Sequence, residues 1–185
     1  MENWHESKIR KLGIFTLAQA KDIGLSEQSL SRLVAANKLN RVAYGIYLHP
    51  DAEGFQIAFA KFGPEAAIGG LSALYHYNLA EQVPGHVWVI VSPGKRTNAK
   101  GYRLIRTKVD LDRGIISDKG YRIGSLERAV LEGLKFITKV GERTAIKAAR
   151  EALANRNTTE RKLGKAAREL GLESVLAKFL EIITP

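Results

Sequence analysis

The sequence predicts an α+β chain, and three features of its patterning carry that prediction. Residues 15–49 read as two short helices parted by a glycine and followed by a tight β-hairpin. The apolar run VWVIV at 87–91 has the length and composition of a strand buried on both faces. From residue 144 onward, alanine and leucine recur at helical spacing. The expected order is a small helical module with a hairpin, then a mixed α/β domain with a helical C-terminal end. The first domain is expected over residues 1–50 and the second over 51–185.

Composition narrows the function classes. Of 185 residues, 45% are hydrophobic and 26% charged, the balance of a globular chain with a real core. There is no cysteine, which excludes a disulfide framework and a thiolate metal site. The four histidines are far apart in sequence, so no structural zinc site is expected. No apolar segment follows the charges of MENWHESKIRK, so no signal peptide is expected, and no apolar run is long enough to cross a bilayer. The cytoplasm is the expected location. Lys and Arg number 29 against 19 Asp and Glu, a formal charge of +10. That excess suits a polyanionic partner, because each phosphate neutralised releases a condensed counterion. It also fits a merely basic soluble protein.

In the N-terminal third, Thr16 followed by Gln19 is a capping-box spacing, which starts a helix. Leu17, Ala20 and Ile23 recur along it, and Gly24 supplies the left-handed residue that ends it. Ser26 then caps a second helix over about 27–37, and an upstream helix over about 6–12 would complete a three-helix core. This is the layout of a helix-turn-helix. On the second helix Leu30, Leu33 and Val34 form the core stripe. Gln28, Arg32 and Ala35 lie opposite, flanked by Ser29 and Ser31. A short polar face with one cation fits a major groove, where Gln can pair with adenine and Arg with guanine; it fits a solvated helix face equally. The following residues, Lys38-Leu39-Asn40-Arg41-Val42 and Ile46-Tyr47-Leu48, are two short strands around Ala43-Tyr44-Gly45. A hairpin in that place is a wing, where Lys38, Arg41 and Tyr44 would meet phosphate or sugar.

The segment FTLAQAKDIGLSEQSLSRLVAANKLNRVAYGIYLHP resembles the N-terminal winged-helix domain of AbiEi-type antitoxins of type IV toxin–antitoxin systems. That family's pattern runs from an alanine-rich helix through glycine and a Ser-containing helix. It continues with Gly or Asn-Lys-Leu, then Arg-Val, then Arg-Gly-Val-Tyr. Here the last piece is Tyr44-Gly45-Ile46-Tyr47, so tyrosine replaces the wing-tip arginine and Arg41 is left to carry the charged contact. Farther on, AAIGGLSALYHYNLAEQVPG at 66–85 resembles the Ser-Ala-Leu helix opening that family's C-terminal domain, with Leu71, Leu74 and Tyr75 on one helical face. IGSLERAVLEGLKF at 123–136 resembles its Ser-hydrophobic-Glu-Arg helix. The resemblance implies an autorepressor binding inverted repeats in double-stranded promoter DNA. It further implies a C-terminal domain that counters a nucleotidyltransferase-like toxin of the AbiEii type without a stable complex.

A helix is expected over about 54–62, and the sheet lies farther on, where VWVIV is followed by a turn-rich stretch and then YRLIRTK, read together as a basic hairpin. Between residues 92 and 108 stand Lys95, Arg96, Lys100, Arg103, Arg106 and Lys108, with no acid among them. Lys95, Arg96, Lys100 and Arg103 are the candidates there for gripping phosphate; charges that guard an edge strand give the same pattern. The C-terminal periodicity puts Ala145, Ala148, Ala149 and Ala152 on one helix face. Leu163, Ala166, Ala167 and Leu170 share a face on a second helix, and Val175, Leu176, Phe179 and Ile183 on a third. Arg161, Lys162, Lys165 and Arg168 would solvate the outside of this bundle.

No catalytic set emerges, and no cofactor or metal is expected. Asp110, Asp112 and Glu127 are carboxylates of the kind that hold Mg²⁺ in a nuclease, but Lys108 and Arg113 flank them, as ion pairs and turns require. Residues 63–70, GPEAAIGG, lack the Gly-Lys-Ser/Thr of a phosphate loop. His76 has no acid or cysteine in sequence reach and reads as a packed residue. Two rival readings stay open: a stand-alone winged-helix regulator whose second domain senses a ligand or oligomerises, and a nucleic-acid enzyme using Asp110 and Asp112.

Overall fold

The computed structural model describes residues 8–9, 14–50, 54–118 and 121–184. It is α+β and divides into two compact units, one of residues 1–64 with 117–121, the other of 65–116 with 122–185.

The first unit is a winged helix-turn-helix. Strand β1 (Ile14–Thr16) leads into α1 (Leu17–Asp22), and α2 (Glu27–Ala35), β2 (Asn40–Ala43) and β3 (Ile46–Leu48) follow. Thr16 does two jobs, ending β1 and capping α1. Thr16 Oγ1 accepts from the Gln19 amide at 3.2 Å, while Gln19 Oε1 accepts from the Thr16 amide at 2.8 Å, the reciprocal pair the spacing predicts. Gly24 takes φ +82°, a conformation that costs any side chain, and ends α1. Helix α2 stops short of the expected residue 37 because Asn37 adopts φ +56°. The amides of Lys38 and Leu39 then fold back onto the Leu33 carbonyl. Strand β1 is not predicted by the sequence pattern; it pairs antiparallel with β3, placing Phe15 opposite Tyr47, and the sheet runs β1-β3-β2. Ile9, Phe15, Ala20, Leu25, Leu30, Leu39 and Tyr47 are buried together, with Leu33 and Val34 against them. Of the upstream helix, Lys8 and Ile9 are helical and the rest lies outside the described residues. Helix α3 (Gly54–Phe62) forms where expected.

The second unit is a five-stranded sheet backed by helices. Its elements are β4 (Ala67–Ile68), α4 (Gly70–His76), β5 (Val87–Val91) and β6 (Tyr102–Arg106), then β7 (Ile115–Asp118) and β8 (Tyr121–Gly124), of which residues 117–118 and 121 are grouped with the first unit. The helices α5 (Leu126–Lys135), α6 (Ile137–Val140), α7 (Glu142–Ala154), α8 (Glu160–Leu170) and α9 (Glu173–Ile183) complete it. The strand order is β6-β5-β4-β8-β7. Helix α5 is the hub, packing against α4, α7, α8 and α9. The alanine stripe of α7 is fully buried, as its spacing predicts, and Gly171 closes α8 at φ +64°.

One expectation is corrected by this sheet. The basic segment is not a hairpin: β5 and β6 are parallel, in register from Val87 opposite Tyr102 to Val91 opposite Arg106. Residues 92–101 therefore walk back along β5 instead of reversing it. Fully extended, ten residues reach about 33 Å, ample for the return past a five-residue strand. The return is pinned at both ends, by Val87 N–H to the Gly101 carbonyl (2.8 Å) and by Arg106 Nε to the Lys95 carbonyl (2.9 Å). Leu71, Leu74 and Tyr75 fall on one face of α4, as their spacing predicts; Tyr75 is 39% exposed, whereas Leu71, Ser72, Ala73 and Leu74 are buried. Ser72 Oγ accepts from the Trp88 amide at 3.0 Å, turning that side of the helix onto β5.

A buried ion pair fixes α4 and α5 together. Arg128 Nε donates to Glu132 Oε1 at 2.9 Å, with side chains only 2% and 5% exposed. Glu132 Oε2 accepts from the Gly70 amide at 2.8 Å, and Arg128 also donates to the Arg113 carbonyl at 2.5 Å. The close approach requires glycine on the α4 side. A Cβ at Gly69 would sit 2.6 Å from Glu132 Oε2, and one at Gly70 (φ +49°) would sit 2.5 Å from the Trp88 ring. Among the described residues, no helix is long and apolar enough to cross a membrane.

Candidate nucleic-acid interface

In the first unit the candidate surface is built by α2 and the wing. Leu30 is fully buried and holds one side of α2 in the core. Gln28 and Arg32, four residues apart, share the exposed side. Among the described residues neither side chain has a hydrogen-bond or ion-pair partner. Ser26 Oγ accepts from the Ser29 amide at 3.1 Å, so the first turn is capped and rigid. The hydroxyls of Ser29 and Ser31 are engaged within the helix, Ser29 with Ser26 Oγ at 2.9 Å and Ser31 with the Glu27 carbonyl at 3.0 Å. Each keeps acceptor capacity for an outside donor.

The wing turns at Tyr44-Gly45, with Gly45 at φ +67° and Tyr44 89% exposed. Strand β2 carries an irregularity in register between Arg41 and Ala43. The Arg41 guanidinium lies 5.4 Å from the centre of the Tyr44 ring, so the tyrosine at the wing tip props the neighbouring cation. Lys38 is exposed just ahead of the wing. The Leu17 amide donates to the Gly45 carbonyl at 2.8 Å and ties the wing to α1.

In the second unit the cations of 92–108 divide by role. Arg106 pins the return segment through Lys95, and Arg103 is half-buried with its guanidinium 4.9 Å from the Trp88 ring centre. Lys95, Arg96 and Lys100 are exposed. Burial pushes the Tyr102 hydroxyl above its ordinary pKa.

The carboxylates do not assemble into a site. Asp110 Oδ1 accepts from the Asp112 amide at 2.8 Å, a turn contact, and Asp112 pairs with Arg122. Glu127 accepts from Thr158 Oγ1 at 2.8 Å. Among the described residues no group of three or more His, Cys, Asp or Glu is placed to hold a metal ion. His76 packs edge-on against Tyr77 with ring centres 5.1 Å apart. A cleft of about 350 Å³ between the 78–82 segment and α7 has mixed charge. There a hydrogen bond and ion pair from Lys147 hold Glu81 below the usual carboxylate range, and Glu81 holds Lys147 above its own. Sequence pattern singles out neither this cleft nor the Arg128–Glu132 pair, whose only local signal is an i,i+4 spacing.

Comparison with known proteins places this architecture. The crystal structure of the RV2827C protein from Mycobacterium tuberculosis aligns over 97% of this chain and 78% of its own, with a TM-score of 0.56 and 13% identity. At that identity the likeness is one of fold. A search of curated proteins finds no match. Residues 7–50, which span the helix-turn-helix and its wing, match the family model described as transcriptional regulator, AbiEi antitoxin.

Proposed function

We propose that the chain is a cytoplasmic DNA-binding antitoxin and autorepressor of a type IV toxin–antitoxin operon, and not an enzyme. Residues 1–50 are the DNA-binding domain, which engages inverted repeats in its own promoter. Residues 51–185 are the antitoxin domain, which counters a nucleotidyltransferase-like toxin without a stable complex. One observation carries the reading: α2 presents Gln28 and Arg32, unpartnered among the described residues, on the side opposite the buried Leu30, in a domain of a transcriptional-regulator family. A rigid polar helix face of this kind suits base edges in a major groove. Gln28 and Arg32 read bases, while Ser29, Ser31, Lys38, Arg41 and Tyr44 meet the backbone. Lys95, Arg96, Lys100 and Arg103 add phosphate contacts from the second unit.

The direct test is co-expression with the neighbouring gene, scored by growth, beside a mobility-shift assay on the chain's own promoter. Growth rescue with promoter binding is the expected result. Promoter binding without rescue would leave a stand-alone regulator, and absence of both would overturn the reading. Replacing Lys95, Arg96 and Lys100 by Gln is expected to flatten the salt dependence of binding by up to about 2.7 in log–log slope, at about 0.9 per phosphate. An unchanged slope would assign those cations to guarding the sheet edge. The Asp110→Asn, Asp112→Asn double variant is expected to leave DNA binding and growth rescue intact; loss of a hydrolytic activity on nucleic acid would restore the enzyme reading.

A further inference from the structure

The second unit carries a cationic cluster that joins Arg103, already a candidate from the sequence, to two lysines that the sequence pattern does not single out. The Trp88 and Phe136 rings meet edge to face with centres 5.9 Å apart. Arg103 covers the tryptophan at 4.9 Å, and Lys135 and Lys139 approach the phenylalanine at 5.4 and 5.9 Å. Three elements supply these cations: the edge strand β6, the last residue of α5, and α6. Phe136 is the hinge, ending α5 and starting α6, with its carbonyl accepting from the Lys139 amide at 2.8 Å.

The arrangement is not one that folding alone favours. Lys135 and Lys139 are like charges brought to one ring from two successive helices, and like charges held close together repel. Among the described residues none of the three cations has an acidic partner. The acids nearest in sequence are Glu132, engaged with Arg128, and Glu142, which pairs with none of them. Both lysines are exposed. The rings beneath hold the cations in place, but Trp88 is only 4% exposed and so is no stacking platform for a base. A fixed, unneutralised group of cations without an open aromatic face matches a row of phosphates and not unpaired bases.

We propose that Arg103, Lys135 and Lys139 form a phosphate-binding surface of the second unit that grips the backbone of duplex DNA irrespective of sequence. The proposal rests on the DNA-binding reading above and adds α5 and α6 to it. It separates cations that guard a strand edge from those that a helix brings beside that edge.

The test is a salt series, about 50 to 200 mM, of the full chain on a promoter duplex and on a scrambled duplex of equal length. Lys135→Gln with Lys139→Gln is expected to flatten the log–log slope by about 1.8 on both duplexes alike. Lys135→Arg with Lys139→Arg should restore it. Lys178→Gln removes another exposed lysine beside a ring, 5.3 Å from Phe179, and should leave the slope unchanged. An unchanged slope in the Gln pair, with flattening in the Lys95, Arg96 and Lys100 variant, would overturn this proposal and leave the regulator standing. Equal flattening by Lys178→Gln would reduce the effect to net charge and overturn it too. Tighter binding to a single-stranded RNA of the same length would assign the surface elsewhere. A wild-type chain that bound neither duplex would remove both readings together.

Discussion

Glu132→Ala is expected to lower the stability of the second unit by about 3–5 kcal/mol, the cost of breaking a buried ion pair from one side. The carboxylate satisfies two groups at once, the Arg128 guanidinium through Oε1 and the Gly70 amide through Oε2. Alanine would leave a charge 2% exposed with no counter-charge, and an amide at the start of α4 with no acceptor. Against a typical domain stability of about 5–15 kcal/mol, that is a large share. A urea titration reads it as a drop in midpoint at constant slope. The comparison variant is Arg128→Leu with Glu132→Leu, which removes both charges and should recover much of the loss, because apolar residues of similar volume often replace such pairs at little cost. A loss under about 1 kcal/mol in Glu132→Ala would mean that water reaches the pair, as it does in surface ion pairs.

What the sequence discloses and what it hides divide along the range of the interactions. The helix-turn-helix is legible because its signals are local. Thr16 with Gln19, Gly24, and Ser26 each act within one turn of the chain, and each does so in the structure. The outward face of α2 is legible for the same reason: once Leu30 is inside, the helical period puts Gln28 and Arg32 outside. Strand β1 is hidden because Ile14–Thr16 is short and its partner, β3, lies far along the chain at Ile46–Leu48. The two-residue β4 gives no pattern at all. The parallel pairing of β5 and β6 is not legible because composition marks a strand but not its direction, and a turn-rich connection is ordinarily a reversal. Asp110 and Asp112 resolve into a turn and an ion pair, the two roles expected of them, but the cation that pairs with Asp112 is Arg122 and not the flanking Lys108 or Arg113. Arg128 and Glu132 show an i,i+4 spacing that any surface helix displays. It is Gly69, distant in sequence, that makes room for that pair, and nothing in the spacing says so.

Arg32→Ala is expected to weaken binding to the cognate site by about 1–3 kcal/mol, roughly 5- to 150-fold, and to relax the preference at one base pair. The side chain stands on a helix whose other side is fixed by Leu30 and whose first turn is capped by Ser26. Such a helix delivers the guanidinium to one place in the groove, and a guanine accepts it there through O6 and N7. The fold should be unaffected, since exposed substitutions away from special features change stability by about 0.5 kcal/mol or less and alanine is a good helix former. The specificity change is therefore separable from any loss of folded protein. Lys38→Gln supplies the contrast: without its charge on the DNA backbone, all duplexes should bind more weakly together, and the salt slope should flatten by about 0.9. Measured side by side on the promoter and on random DNA, the two variants distinguish reading from gripping. If Arg32→Ala weakened both duplexes equally, its guanidinium would belong to the phosphates, and base selection would have to rest on Gln28 alone.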